Sequence, residues 1–204
     1  MLPAMLIVIE GIDGCGKSTQ VERLCTRLAA AGRRVTRLRE PGGTALGEQV
    51  RGILLDPATE ACPTAELFGY LTARAQLCET VIRPALARGE TVVLDRFYHS
   101  TLAYQGYGLG LDLDLVRAAI RLATGGLVPD HVAWIDLDPA EAARRRARAR
   151  GQDDRIEARG LAYLTTVHEG FAALAASGEI HRVDGRGTAD DVAARLDAAL
   201  ALSP

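Results

Sequence analysis

Short apolar runs that end in a glycine or an acid alternate along the chain with longer stretches whose apolar positions recur at helical spacing. Met5–Glu10 is one such run, and its close at a glycine-rich turn predicts a buried parallel strand. Arg34–Arg39, Thr91–Asp95, Val132–Leu137 and Ile180–Val183 read as four more strands. From Lys17 to Ala30 the apolar positions Val21, Leu24, Cys25 and Leu28 predict a helix, with Gly32 as its stop. Leu46–Leu55, Ala65–Arg88 and Ala189–Ala201 are helical by the same pattern, and Pro84 predicts a bend or break near Arg83. Strands alternating with helices imply an α/β fold whose parallel sheet is covered on both faces. No repeat, low-complexity tract or linker interrupts the pattern, so residues 1–204 are expected to form a single domain. The least sheet-like stretch, Arg144–Gly160, is dense in charge and is the best candidate for a mobile surface flap.

Composition narrows the partners. A net charge of −2 argues against nucleic acid or an anionic membrane as the main one. No apolar run is long enough to span a bilayer and no leader pattern opens the chain, so a cytoplasmic address is expected. Cys15, Cys25, Cys62 and Cys78 show neither CxxC pairing nor zinc-ligand spacing and read as reduced thiols. The 24 basic residues comprise arginines throughout, with Lys17 as the only lysine. A guanidinium fork substitutes poorly for a compact ammonium inside a tight loop, so Lys17 marks a place where point-charge geometry matters.

That place is Gly11-Ile12-Asp13-Gly14-Cys15-Gly16-Lys17-Ser18, a full G-x-x-x-x-G-K-[ST] phosphate loop with a strand before it and a helix after it. Gly11, Gly14 and Gly16 let the backbone wrap around phosphate oxygens, while Cys15, Lys17, Ser18 and Thr19 carry the loop into the positive end of the next helix. Lys17 is expected to reach the β- and γ-phosphates of ATP, and the Ser18 hydroxyl to bind Mg²⁺. With no asparagine and no second lysine, the chain lacks the Asn-Lys-x-Asp element of a guanine-specific switch protein.

A second constellation must supply the acceptor. Six of the nine aromatic residues lie between Phe68 and Tyr107, interleaved with Arg74, Arg96 and Gln105, as a nucleobase and a phosphate would require. Core aromatics with surface arginines are the alternative. Arg39-Glu40-Pro41-Gly42-Gly43-Thr44, Asp95-Arg96-Phe97 and Ser100-Thr101-Leu102-Ala103-Tyr104-Gln105-Gly106 resemble the signature segments of bacterial thymidylate kinases, in the same order and alongside the phosphate loop. The resemblance covers about Met5 to Val183. It implies a three-layer P-loop nucleoside-monophosphate kinase fold with a five-stranded parallel sheet, transfer of the ATP γ-phosphoryl group to dTMP, and a homodimer. It also implies that Asp13 contacts the deoxyribose 3′-hydroxyl and that Arg39, Arg51 and Arg96 hold the dTMP phosphate. Arg74 would donate to thymine O4, Thr101 and Gln105 would neighbour the base, and Tyr104 would crowd a ribose 2′-hydroxyl. Asp95, at a strand end beside the loop, is placed to act on Mg²⁺; a helix cap or an ion pair with Arg96 is its other reading.

The arginine run Arg144–Arg150 fits a solvated helix face, a nucleic-acid patch or, by the resemblance, a lid at about 144–160. The phosphate loop has no arginine of its own, so the chain resembles thymidylate kinases in which a lid arginine approaches ATP. Arg150 is the first candidate and Arg155 the second; Arg150→Ala is expected to lower kcat far more than it weakens dTMP binding. Three departures from the family stand out. Tyr70 occupies the stacking position usually held by phenylalanine, with Phe68 as its rival. Thr166, His168 and Phe171 stand where arginines and a tyrosine are common. Cys15, at a helix N-terminus, reads either as a reactive thiol that ATP would protect or as an inert filler.

Overall fold

The computed structural model describes residues 3–149 and 154–200. Five strands form one parallel sheet: β1 (Met5–Glu10), β2 (Val35–Arg39), β3 (Thr91–Asp95), β4 (His131–Asp136) and β5 (His181–Asp184), in the order β2-β3-β1-β4-β5. β1 lies at the centre, pairing Ile7 with Val93 on one side and Val8 with Val132 on the other. Its residues from Leu6 onward are buried, as a strand covered on both faces demands, whereas the edge strands β2 and β5 are partly exposed. The chain leaves β1 toward β2 and β3 and later returns to the other side for β4 and β5. That reversal opens a crevice at the C-terminal ends of β1, β3 and β4, where open α/β sheets bind ligands.

The helices are α1 (Lys17–Ala30), α2 (Ala45–Leu55), α3 (Pro63–Leu77), α4 (Arg83–Ala87), α5 (Tyr98–Thr101), α6 (Leu113–Thr124), α7 (Pro139–Ala149), α8 (Gly160–Ala176) and α9 (Ala189–Ala199). On α1 the expected stripe is present: Val21, Leu24 and Leu28 are buried and Cys25 is half-buried. The expected break at Pro84 takes a gentler form. Cys78–Ile82 widens into a π-helical turn between α3 and α4, which makes room for the proline ring without ending the helical path.

The strands match the sequence expectation to within a residue at either end. Several helices do not follow from it. The α5 turn and its π-helical continuation Leu102–Gly108, the whole of α6, and α7 had no assigned element. The arginine run through Arg148 lies on α7, so the first part of the expected flap is a helix face. Residues 150–153 lie outside the described residues, Arg150 among them. Beyond them Ile156 and Glu157 are buried rather than at the surface. No helix among the described residues is long and apolar enough to cross a membrane.

Candidate active site

The phosphate loop connects the C-terminus of β1 to α1. Gly16 caps α1 with a left-handed backbone (φ 99°) and, having no side chain, puts no capping group between the first turn and an anion. Gly11 shows why the loop admits no side chain. A Cβ there would lie 2.6 Å from Cys15 Sγ and 2.9 Å from the Ile135 carbonyl oxygen, at a φ of +145°. Lys17 is buried, and its Nζ donates to the Ile12 carbonyl at 2.9 Å and lies 3.6 Å from Asp13 Oδ1. The ammonium is thus held over the loop by short contacts.

Cys15 is buried, and burial pushes its thiol above the ordinary range despite the charges of Lys17 and Arg96. Burial and the raised thiol favour the filler reading of Cys15 over the reactive one.

On the sheet side of the loop a cavity of about 420 Å³ opens. Lys17, Ser18, Asp13, Arg39, Arg51, Tyr70, Arg74, Asp95, Arg96, Thr101, Tyr104 and Gln105 all line it. These come from the ends of β2 and β3, from α1, α2 and α3, and from the Tyr98–Gly108 segment. Apart from Phe68, every side chain singled out for the acceptor or the metal therefore reaches one cavity. Phe68 does not line it and is 58% exposed, so Tyr70 alone of the two aromatic rivals faces the site. Beyond the loop lies a smaller hollow of about 110 Å³, lined by Cys15, Gly16, Thr19 and Arg145 together with the Gly185–Thr188 turn.

Arg96 is the hub of the cavity. Its guanidinium lies 3.0 Å from Asp13 Oδ1, donates to Ser100 Oγ at 3.0 Å and to the Tyr104 hydroxyl at 3.2 Å, and packs over the Tyr104 ring. Burial alone would raise the Asp13 carboxyl, but the Arg96 and Lys17 charges hold it well below the usual carboxylate range. Arg96 also has a positive φ of 73°, costly for any residue with a Cβ. Glu10, fully buried, keeps it there: its carboxylate accepts from the N–H groups of Phe97 (2.8 Å) and Ser100 (3.2 Å) and from the Ser100 hydroxyl (2.6 Å).

The Arg39–Thr44 motif resolves into distinct tasks. Arg39 pairs with Glu48 at 2.9 Å, Thr44 caps α2 by accepting from Gly47 N–H, and Arg51 donates to the Pro41 carbonyl at 3.0 Å. Glu40 is buried and receives Arg74 Nε at 2.8 Å, while Arg74 also donates to Thr101 Oγ1 at 2.7 Å and to the Phe97 carbonyl at 3.2 Å. Burial pushes the Glu40 carboxyl up to about 7, against the pull of Arg74. A carboxyl raised on folding binds more protons in the native than in the unfolded chain, so its contribution to stability falls as pH rises. The melting temperature of the wild type relative to Glu40→Gln is therefore expected to fall between about pH 4.5 and about pH 7 and to level off above. A flat difference across that window would show Glu40 ionised throughout.

Ser18 Oγ donates to Asp95 Oδ2 at 2.8 Å. The short helix α5 takes Phe97 as its N-cap with no side-chain cap, so Asp95 is not the cap. A hydroxyl and a carboxylate oxygen side by side, next to a phosphate cradle, form a hard-oxygen donor set of the kind Mg²⁺ shares with nucleotide oxygens. Among the described residues no group of three or more His, Cys, Asp or Glu could hold a metal ion without such help.

Other expected contributors lie elsewhere. Arg155 spends its guanidinium on Glu66 (2.7 Å) and on the Leu54 carbonyl rather than on the phosphate loop. His168 bonds Asp136 at 2.6 Å and Phe171 stacks on Trp134, so that part of α8 is structural. Sequence reasoning gave no task to Glu10, Glu40 or Glu66; Glu10 had a signal as an acid closing an otherwise apolar run, and Glu40 as a member of the Arg39–Thr44 segment.

Comparison with known proteins agrees with this geometry. A family model described as thymidylate kinase matches residues 9–196. The thymidylate kinase of Gloeobacter violaceus is 50% identical over 200 residues, covering 95% of this chain and 94% of its own. That of Deinococcus radiodurans is 51% identical over 175 residues, covering 86% and 84%. The crystal structure of the thymidylate kinase from Ehrlichia chaffeensis matches with a TM-score of 0.79 at 30% identity, over 98% of this chain and 99% of that one. Matched from β1 into α9, through the phosphate loop and the cavity beside it, the chain belongs to the thymidylate kinase family.

Proposed function

We propose that this enzyme transfers the γ-phosphoryl group of ATP to dTMP, giving dTDP and ADP. The observation that carries the reading is the cavity: side chains suited to a nucleotide acceptor, drawn from separate parts of the chain, line one space beside the phosphate loop. A 5′-phosphate oxygen of dTMP attacks the γ-phosphorus, forming the new P–O bond as the bond to the β–γ bridging oxygen breaks. The chain's work is alignment and charge neutralisation.

The loop N–H groups and Lys17 receive the ATP phosphates. Arg39, Arg51 and Arg96 hold the acceptor phosphate, and Asp13 accepts from the deoxyribose 3′-hydroxyl. Tyr70 stacks on the base, Arg74, Thr101 and Gln105 read its edge, and Tyr104 fills the space a 2′-hydroxyl would need. Ser18 and Asp95 would hold Mg²⁺, which when bound neutralises phosphate charge. Arg150, outside the described residues, keeps the proposed role of lid arginine, which would help keep water from the γ-phosphate.

The reading extends to a cytoplasmic homodimer. Leu46, Ile53 and Phe68, exposed on the paired helices α2 and α3, support self-association. A coupled assay of ADP release over a panel of nucleoside monophosphates tests the activity. dTMP-dependent ADP formation well above that with AMP or CMP is expected; preference for another monophosphate, or ATP turnover indifferent to the acceptor, overturns it.

A further inference from the structure

Glu66 has no place in the mechanism above, yet the structure invests heavily in it. It is fully buried on α3 and does not line the cavity, but three side chains from two other segments converge on its carboxylate. Gln105 Nε2 donates to Oε1 at 3.0 Å. Arg159 spans both oxygens, at 3.1 Å to Oε1 and 2.6 Å to Oε2, and Arg155 lies 2.7 Å from Oε2. Burial would raise this carboxyl, but the bonds from Arg159, Gln105 and Arg155 outweigh it and hold it below its ordinary value, so the group is an anion.

An anionic carboxylate only accepts hydrogen bonds, and this decides the orientation of Gln105. A glutamine amide has a donor end and an acceptor end of nearly equal size, and either can face a ligand unless a neighbour chooses. Glu66 draws the NH₂ to itself. The acceptor end, Oε1, is then the one assigned to the cavity that Gln105 lines. Arg155 and Arg159 hold that carboxylate in place. Tyr163 continues the bracing, accepting from Arg159 and donating to the Tyr104 carbonyl at 3.1 Å, next to Gln105.

We infer that Glu66 is a specificity-determining positioning residue, which fixes the Gln105 amide so that an acceptor meets the base. An acceptor there pairs with a pyrimidine that carries N3–H, as thymine and uracil do, and opposes the bare N3 lone pair of cytosine. A site built to satisfy one hydrogen-bond pattern leaves polar atoms unpaired against the other. The inference rests on the reading that the cavity takes the dTMP base.

The test is a ratio of kcat/KM values, which is insensitive to the fraction of enzyme that is folded. Glu66→Gln can present either end of its own amide and so frees Gln105 to turn over. The dTMP/dCMP ratio is expected to fall roughly tenfold or more, while the dTMP/dUMP ratio stays within about twofold because both bases carry N3–H. Glu66→Asp, still an acceptor only, is expected to retain most of the dTMP/dCMP preference. A folded Glu66→Gln enzyme with both ratios at wild-type values overturns the inference and leaves Glu66 a structural ion-pair partner. Should Glu66→Gln not fold, Gln105→Met carries the test, since Glu66 acts through that amide: an unchanged dTMP/dCMP ratio overturns the inference equally. Tyr70→Ala separates this from the reading beneath it. An unmoved KM for dTMP in Tyr70→Ala means the cavity is not the dTMP site, whereas a raised KM there with unmoved ratios above overturns the Glu66 inference alone.

Discussion

Arg96→Ala is expected to lower kcat/KM for dTMP by about a thousandfold, equivalent to about 4 kcal/mol of transition-state stabilisation. Two losses combine. The variant would remove the donor proposed for the acceptor phosphate, and it takes from Asp13 the guanidinium 3.0 Å away that, with Lys17, holds its carboxyl low. Arg96→Lys should recover little of this, because one ammonium cannot reach Asp13, Ser100 and Tyr104 at once as the fork does. The effect should fall on both KM for dTMP and kcat, since the acceptor oxygen must also be aimed. Steady-state kinetics on a variant shown to be folded by its melting curve decide the matter; a loss smaller than tenfold would remove Arg96 from the centre of the site.

The second large effect is at the chain's only lysine. Lys17→Arg is expected to reduce kcat by about 10²- to 10³-fold, the range found when one preorganised donor to a developing charge is removed. The KM for ATP should change much less. Lys17 is buried, with its Nζ 2.9 Å from the Ile12 carbonyl, and the broader planar guanidinium cannot lie in that space without lifting off the loop. The charge survives the substitution but its position does not, so the damage appears in the chemical step. Full activity in Lys17→Arg would mean that the loop needs only a positive charge, and the absence of other lysines would lose its explanation.

These two residues also show what was legible beforehand. Lys17 lies within eight consecutive residues whose spacing is itself the signal, so its proposed role follows from local sequence. Arg96, Arg39 and Arg74 became legible through short motifs that resemble a family, and the structure then brought them to one cavity. The tasks of the buried glutamates were not legible. Glu66 lies in the first turn of α3, where an acid ordinarily offsets the helix dipole, and its partners are 39 and 93 residues away in sequence. Glu40 looks like a loop acid until Arg74 folds against it. The missed helix α6 has a similar cause: Leu115 and Leu122 are apolar yet exposed, which blurs the stripe formed by Val116 and Ile120. The Pro84 signal was real, but local sequence could not tell a widened turn from a break.

Helix α3 carries Glu66, Tyr70 and Arg74 at intervals of four residues, on one face. Each step advances about 6 Å along the axis, so the amide-setting acid, the ring and the buried arginine are graduations on one rigid rod. Substitution along that rod changes one graduation and leaves the others in place. Adding or deleting a single residue between Glu66 and Arg74 instead rotates everything beyond it by about 100°, turning the later marks away from the cavity together. The exposed turn before α3, Asp56–Cys62, has no such constraint. Descendants of this sequence should therefore differ in length in that turn and in side-chain identity along the helix, but not in the count of residues from Glu66 to Arg74.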